Sequence, residues 1–241
     1  MLHENFHCEL YFIRHGESKT NVQSKYAAHM DFNSALTQTG QTQAKLLGKR
    51  LKKEKIHFDA IYSSSFIRTL ETTEIMLENM DIPNQNFHVV HDIIEQQHPG
   101  WRGKLKKDIN SSWDALDDKG MGMDYIPPGG ESFKQVERRM ATWIENEILT
   151  NSKYLNKNHP MKIAVIGHGQ SLQALFHYIM GFDEKLIARF CLYNCSISRF
   201  IFNQRGWTII SINDSTHTKG HRPNPSINLL GFLMLYWFQK H

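Results

Sequence analysis

The sequence predicts an α/β protein built on a mostly parallel sheet. Two observations carry that expectation. Short runs of large apolar residues alternate along the chain with longer segments whose apolar residues recur at helical spacing. Arg, His or Glu residues then stand just past one run after another, where open α/β sheets leave side chains free to bind ligands.

Leu10-Tyr11-Phe12-Ile13 reads as a buried first strand, and Gly16 permits the sharp turn that ends it. Leu36-Thr37-Gln38-Thr39-Gly40 leads into Ala44, Leu46, Leu47, Leu51 and Ile56, a helix with Thr as its cap that ends near Lys55. A second strand spans 58–63, and Ser64-Ser65 breaks it into a helix over 66–79. The third strand covers 87–94, with Glu95 just beyond. Residues 96–130 have weak periodicity and read as a loop-rich excursion over one face. Phe133, Val136, Met140, Trp143, Ile144 and Ile148 mark one side of an amphipathic helix over 131–150. A fourth strand over 162–167 runs into His168-Gly169-Gln170 and a helix over 171–180, and 196–202 with 207–212 form a closing strand pair. Prolines and glycines are scattered, so a single domain over 1–241 is expected, with an apolar C-terminal extension over 226–241.

The balance of 28 basic and 24 acidic residues, a net charge of +4, excludes a polybasic nucleic-acid binder and suits a small anionic substrate. Three cysteines without a Cys-x-x-Cys pair fit neither a disulfide framework nor a zinc knuckle, which points to a reducing, cytoplasmic setting. The first residues show no basic and apolar signal-peptide pattern. His91, His98 and His177 lack zinc-ligand spacing, and neither a metal nor another cofactor is expected. The apolar run over 229–238 is too short for a bilayer, which needs about twenty such residues. A docked helix, a homodimer contact or a peripheral membrane contact stay open for it, the first two favoured because the chain shows no other membrane signal.

Arg14-His15-Gly16-Glu17-Ser18, followed by Asn21, carries the most chemistry. A guanidinium fork fits a phosphoryl group bidentately, and a neutral imidazole can attack phosphorus. Arg68 at the second strand-to-helix junction, Glu95 after the third strand and His168 after the fourth occupy comparable positions. Singly, each has an ordinary reading: a helix-surface ion pair, a solvated loop acid, a turn residue. If they converge, His15 is a nucleophile, the guanidiniums and His168 surround the equatorial oxygens, and Glu95 reaches the leaving oxygen. Glu131 is expected to complement a helix dipole rather than touch substrate. Lys104-Leu105-Lys106-Lys107 reads equally well as a substrate-steering run or a solvated one.

These motifs resemble the histidine phosphatase superfamily, the phosphoglycerate-mutase-like group, over roughly 10–217. The resemblance rests on Arg14-His15-Gly16-Glu17-Ser18 with Asn21, Leu36-Thr37 with Gly40, and the stretch from Ser63 through Arg68 to Thr73. It extends to Glu95 with Gly100-Trp101-Arg102-Gly103, Pro128-Gly129-Gly130-Glu131-Ser132, Gly167-His168-Gly169, and Asn213-Asp214 with His217. It implies a three-layer α/β/α sandwich and a phosphohistidine on His15. It also implies a substrate pocket of Arg14, Asn21, Arg68, His168 and Gly169, with Glu95 as proton donor. Cofactor-dependent mutases of the family carry Arg after the acid and a Tyr-Gly pair further on, whereas this chain has Glu95-Gln96-Gln97-His98-Pro99-Gly100. That departure favours a metal-independent phosphomonoesterase acting on a small phosphorylated metabolite. A phosphoglycerate mutase-type phosphomutase and a non-catalytic phospholigand-binding module are the alternatives. Arg102, where phosphatase-like members often have Glu, would favour a second anionic group on the substrate.

Overall fold

The computed structural model describes residues 6–25, 33–109, 122–155, 159–182 and 191–221. The apolar C-terminal run, Trp113 and the middle of the 96–130 excursion lie outside the described residues.

Six strands form one mixed sheet: β1 (His7–Arg14), β2 (Ala60–Ser64), β3 (His88–Val90), β4 (Met161–Gly167), β5 (Ile197–Asn203) and β6 (Gly206–Asp214). Their spatial order is β3-β2-β4-β1-β5-β6. The four strands from β3 to β1 run parallel, and β5 and β6 are antiparallel. Within this α/β fold, register decides where the chemistry falls. Arg14 stands opposite Gly167, and Ser63 opposite Ile166, so β1, β4 and β2 end level with one another. Ile13 pairs with Ile197, so β5 begins where those three stop. The turn before β5 therefore reaches the same edge as the three parallel strand ends.

β1 alternates its apolar side chains between two cores, as a central strand buried on both faces must. Leu10 and Phe12 face a cluster containing Val136, Met140, Val165, Phe176 and Phe200. Tyr11 and Ile13 face another, containing Leu47, Ile61, Met76 and Ile166. Helices α4 (Phe133–Ile144) and α6 (Gly169–Met180) supply the first core, and α2 (Gln38–Lys53) and α3 (Ile67–Asn79) the second. This gives the α/β/α layering that the motifs implied. Two short helices, α1 (Lys19–Val22) and α5 (Ser152–Leu155), follow β1 and precede β4 respectively.

Several boundaries depart from the periodicity. β3 has only three residues because it is an edge strand paired with β2 alone; the chain then turns, Ile94 N–H donating to His91 O at 3.1 Å, and buries Ile93 and Ile94. Ser132, not Glu131, caps α4, accepting the Gln135 N–H at 3.1 Å in a reciprocal capping box. The end of that helix widens into a π-helical stretch over Glu145–Leu149, where the Thr150 N–H and hydroxyl both donate to Glu145 O, at 2.9 and 2.8 Å. α6 starts two residues earlier than expected, since its first free N–H groups find a side-chain acceptor from another part of the chain.

Gly40, in the first turn of α2, shows how closely the loop after β1 is packed. A methyl group there would lie 2.0 Å from Glu17 O. Gly40→Ala is expected to push the 16–18 turn aside, costing about 1–3 kcal/mol in urea denaturation. An unchanged unfolding midpoint would show that the turn has room to move.

Candidate active site

At the end of β1 the chain is pinned from three sides. His15 N–H donates to Gly167 O at 3.0 Å, Gly16 N–H to Thr72 Oγ1 at 3.0 Å, and Asn194 Nδ2 to His15 O at 3.0 Å. The His15 ring is buried and engaged at both nitrogens: Nδ1 lies 2.6 Å from Gly16 O and Nε2 3.2 Å from Arg68 Nε. A carbonyl oxygen only accepts and a guanidinium only donates, so the proton sits on Nδ1 and the lone pair on Nε2. Burial, and then the positive charges of Arg68 and Arg14, hold the ring's pKa well below its ordinary value. The imidazole is thereby kept neutral and nucleophilic.

Arg68 reaches the ring because α3 begins directly after β2; it is buried, with its guanidinium 4.7 Å from the Phe66 ring centre. Arg14 donates from Nη1 to Leu192 O, while its buried Nε has no hydrogen-bond partner among the described residues. Burial lowers the Arg14 pKa, and the Glu95 charge opposes that shift. His168 meets His15 edge-on, with ring centres 5.2 Å apart. Its Nε2 lies 2.7 Å from Ser64 Oγ, and its buried Nδ1 has no hydrogen-bond partner among the described residues. Its pKa also lies well below the ordinary value, through burial and then Arg68, His15 and Arg14.

Glu95 joins this cluster across the start of α6. Its Oε1 accepts N–H bonds from Gln170 at 3.1 Å and Ser171 at 3.0 Å, the position where a helix favours negative charge. Gly169 separates the carboxylate from Arg14: a methyl on it would sit 3.5 Å from Arg14 Nε and 3.9 Å from Glu95 Oε2. His15, Arg14, Arg68, His168, Gly169 and Glu95 are thus brought to one place.

Asn21 is placed differently. It is exposed, and its Oδ1 accepts from Ser18 N–H at 3.0 Å and Ser18 Oγ at 3.1 Å, within the capping box of α1. It reaches the cluster through Asn194, whose Nδ2 lies 3.3 Å from Oδ1. Lys106, within the basic run, donates to Thr20 O at 2.7 Å and so ties the excursion to the loop after His15. Glu131 is neither a cap nor a free acid, since Arg139 takes both its oxygens at 2.7 and 3.2 Å. Trp101 is buried and stacks on His98 at 4.6 Å between ring centres. Among the described residues, no three His, Cys, Asp or Glu side chains could hold a metal ion. Sequence reasoning passed over Thr72, Ser64 and Asn194. Thr72 lies one helical turn after Arg68, a usable signal, whereas Asn194 arrives with the antiparallel strand and has none.

Together the sheet and this cluster define an α/β protein with two buried histidines, two guanidiniums and a carboxylate gathered at one sheet edge. Over residues 10–215 the chain matches the histidine phosphatase superfamily (branch 1), and it belongs to that family. The phosphoglycerate mutase of Schizosaccharomyces pombe is 30% identical over 182 residues, spanning 75% of this chain and 83% of that protein. Mycobacterial glucosyl-3-phosphoglycerate phosphatase has a solved structure with a TM-score of 0.72 and 20% identity, covering 86% of this chain and 99% of the other. Phosphoglycerate mutase from Bacillus anthracis str. Sterne gives 0.71 and 21%, covering 90% and 98%. These two structures establish the shared fold.

Two imidazoles held neutral by burial take up protons less readily than in the unfolded chain, where the ordinary value is 6.5. The stability they confer is full above that value and lost as pH falls through it. The thermal midpoint is expected to drop from about pH 7.5 to about pH 5, and less steeply in a His15→Asn variant. Parallel curves for the two proteins would contradict the buried neutral assignment.

Proposed function

We propose that this chain is a metal-independent, cytoplasmic phosphomonoesterase that hydrolyses a small phosphorylated metabolite through a phosphohistidine on His15. The observation that carries the proposal is the His15 ring itself. It is neutral, with the Nε2 lone pair 3.2 Å from a guanidinium that would prefer a phosphoryl oxygen to a ring nitrogen.

With substrate phosphate between Arg14 and Arg68, Nε2 attacks phosphorus and the ester P–O bond breaks. Glu95, protonated for this step, gives its proton to the departing alkoxide. As a carboxylate it then takes a proton from water, which attacks phosphorus as the P–N bond breaks and returns the lone pair to His15. The fixed guanidiniums would stabilise the equatorial oxygens by several kcal/mol. They supply the positive charge that a metal ion provides elsewhere.

Gln96 supports hydrolysis over transfer. It stands where mutases of the family carry Arg, and its buried amide donates to Glu131 O at 2.9 Å, offering no cation to a second phosphate. A phosphomutase is the second reading, favoured by the 30% identity to the S. pombe mutase.

A panel of metabolite phosphomonoesters, assayed for phosphate release in excess chelator beside a mutase assay, separates these readings. Release with chelator present is expected. Isomer interconversion without release would establish the mutase, and neither activity would leave a phospholigand-binding module. His15→Ala should lower turnover by roughly 10⁴-fold and abolish acid-labile labelling of the protein by radioactive substrate. Glu95→Gln should slow poor leaving groups by about 10²-fold or more. If it turned over sugar phosphates at the parental rate, the proton-donor assignment would be wrong.

A further inference from the structure

A proton donor works only if its carboxyl group is held at the right reach, yet Glu95 lies on a stretch, 91–98, that is neither helix nor strand. Besides the N–H bonds from α6 to the carboxylate, an ion pair on α4 and the turn before it holds the backbone of this stretch. Arg139 Nη1 donates to Asp92 O at 2.7 Å and Ile94 O at 3.1 Å, gripping the backbone before the acid. Its Nη2 and Nε donate to the two Glu131 oxygens at 2.7 and 3.2 Å. Glu131 in turn grips the backbone after the acid. Its Oε1 accepts the Gln97 N–H at 3.0 Å, and its own N–H donates to Gln97 O at 2.9 Å.

The two side chains retain only 20% and 19% of their exposure, and the fork geometry is bidentate. This sets the pair apart from ordinary surface ion pairs, which contribute about 0–1 kcal/mol. Among the described residues, every hydrogen bond of the Arg139 guanidinium goes either to Glu131 or to a carbonyl within three residues of Glu95. Lysine, a point charge on a flexible stem, could not span two carbonyls and a carboxylate at once.

We propose that Arg139 and Glu131 are positioning residues that clamp the backbone on both sides of Glu95 and so set the reach of its carboxyl group toward the leaving oxygen. This rests on the reading of Glu95 as proton donor. Misplacement of a catalytic group by about 1 Å can cost about 10²-fold, and here the loss should fall on the step that needs the proton.

The test compares kcat/KM, which reports events up to leaving-group departure, for p-nitrophenyl phosphate and for the fastest alkyl phosphomonoester of the metabolite panel. Arg139→Lys and Glu131→Gln are each expected to lower the alkyl value by about 10–100-fold and the aryl value by less than about threefold. Adding Glu95→Gln to Arg139→Lys should lose little beyond Glu95→Gln alone, because both changes remove one function. Equal losses on both substrates, or none, would overturn the proposal. If Glu95→Gln discriminates between the substrates and the clamp variants do not, only the clamp fails. If Glu95→Gln itself does not discriminate, the proton-donor reading fails and the clamp with it. Thermal unfolding of each variant accompanies the kinetics. Should Arg139→Lys not fold, Glu131→Gln carries the test, and should neither fold, the pair is structural and the proposal is overturned.

Discussion

The register between β1 and β4 is the constraint on which the site depends. Because Arg14 lies opposite Gly167, the next residue on each strand is a histidine, and their rings meet 5.2 Å apart. A slip of one residue would turn every β1 side chain to the opposite face, exchanging Leu10 and Phe12 for Tyr11 and Ile13 between the two cores. Core packing therefore fixes the position of His15 as firmly as any contact of the ring itself. The antiparallel β5 adds what parallel strands cannot. Its beginning lies beside their ends, so the Leu192 carbonyl and the Asn194 amide reach Arg14 and the His15 backbone.

Electrostatics then give this edge its character. Two guanidiniums and one carboxylate leave an excess of positive charge around two buried rings, and the imidazoles respond by remaining neutral. Burying a charge without a partner is costly. The arrangement persists because Arg14 donates to a carbonyl, Arg68 to a ring nitrogen, and Glu95 accepts from the first turn of α6. The phosphate of the proposed substrate would offer each guanidinium a stronger acceptor than a carbonyl or a ring nitrogen. The same cations that would bind the proposed substrate also help burial keep the His15 ring neutral.

Much of this was legible in the chain because local rules and global fold agree. Long apolar runs located the central strands, and the Arg14-His15 and Gly167-His168 junctions stood out as polar residues where such runs end. The weaker elements went astray for identifiable reasons. β3 is an edge strand, and the apolar residues that follow it, Ile93 and Ile94, are buried in a turn, so hydrophobicity overstated its length. Glu131 stands one residue before an N-cap, a position where helix-dipole reasoning applies, but Arg139 claims it from two turns further along. Asn21 caps α1 through Oδ1, which also meets the Asn194 amide, so its link to the cluster runs through a residue on a distant segment.

The sequence by itself determined the α/β class, the residues at the strand ends and the chemistry that those residue types can perform. These follow from short-range patterns: the alternation of apolar runs with helical periodicity, and the pairing of Arg with His at a glycine turn. Only the tertiary structure decided which residues meet and in what state. The approach of Arg68 to the His15 ring, the placement of Glu95 on the N-terminus of α6 and the grip of Arg139 and Glu131 on the acid's loop all join segments far apart in the chain. Such contacts arise from sheet register and core packing, and no local pattern encodes them.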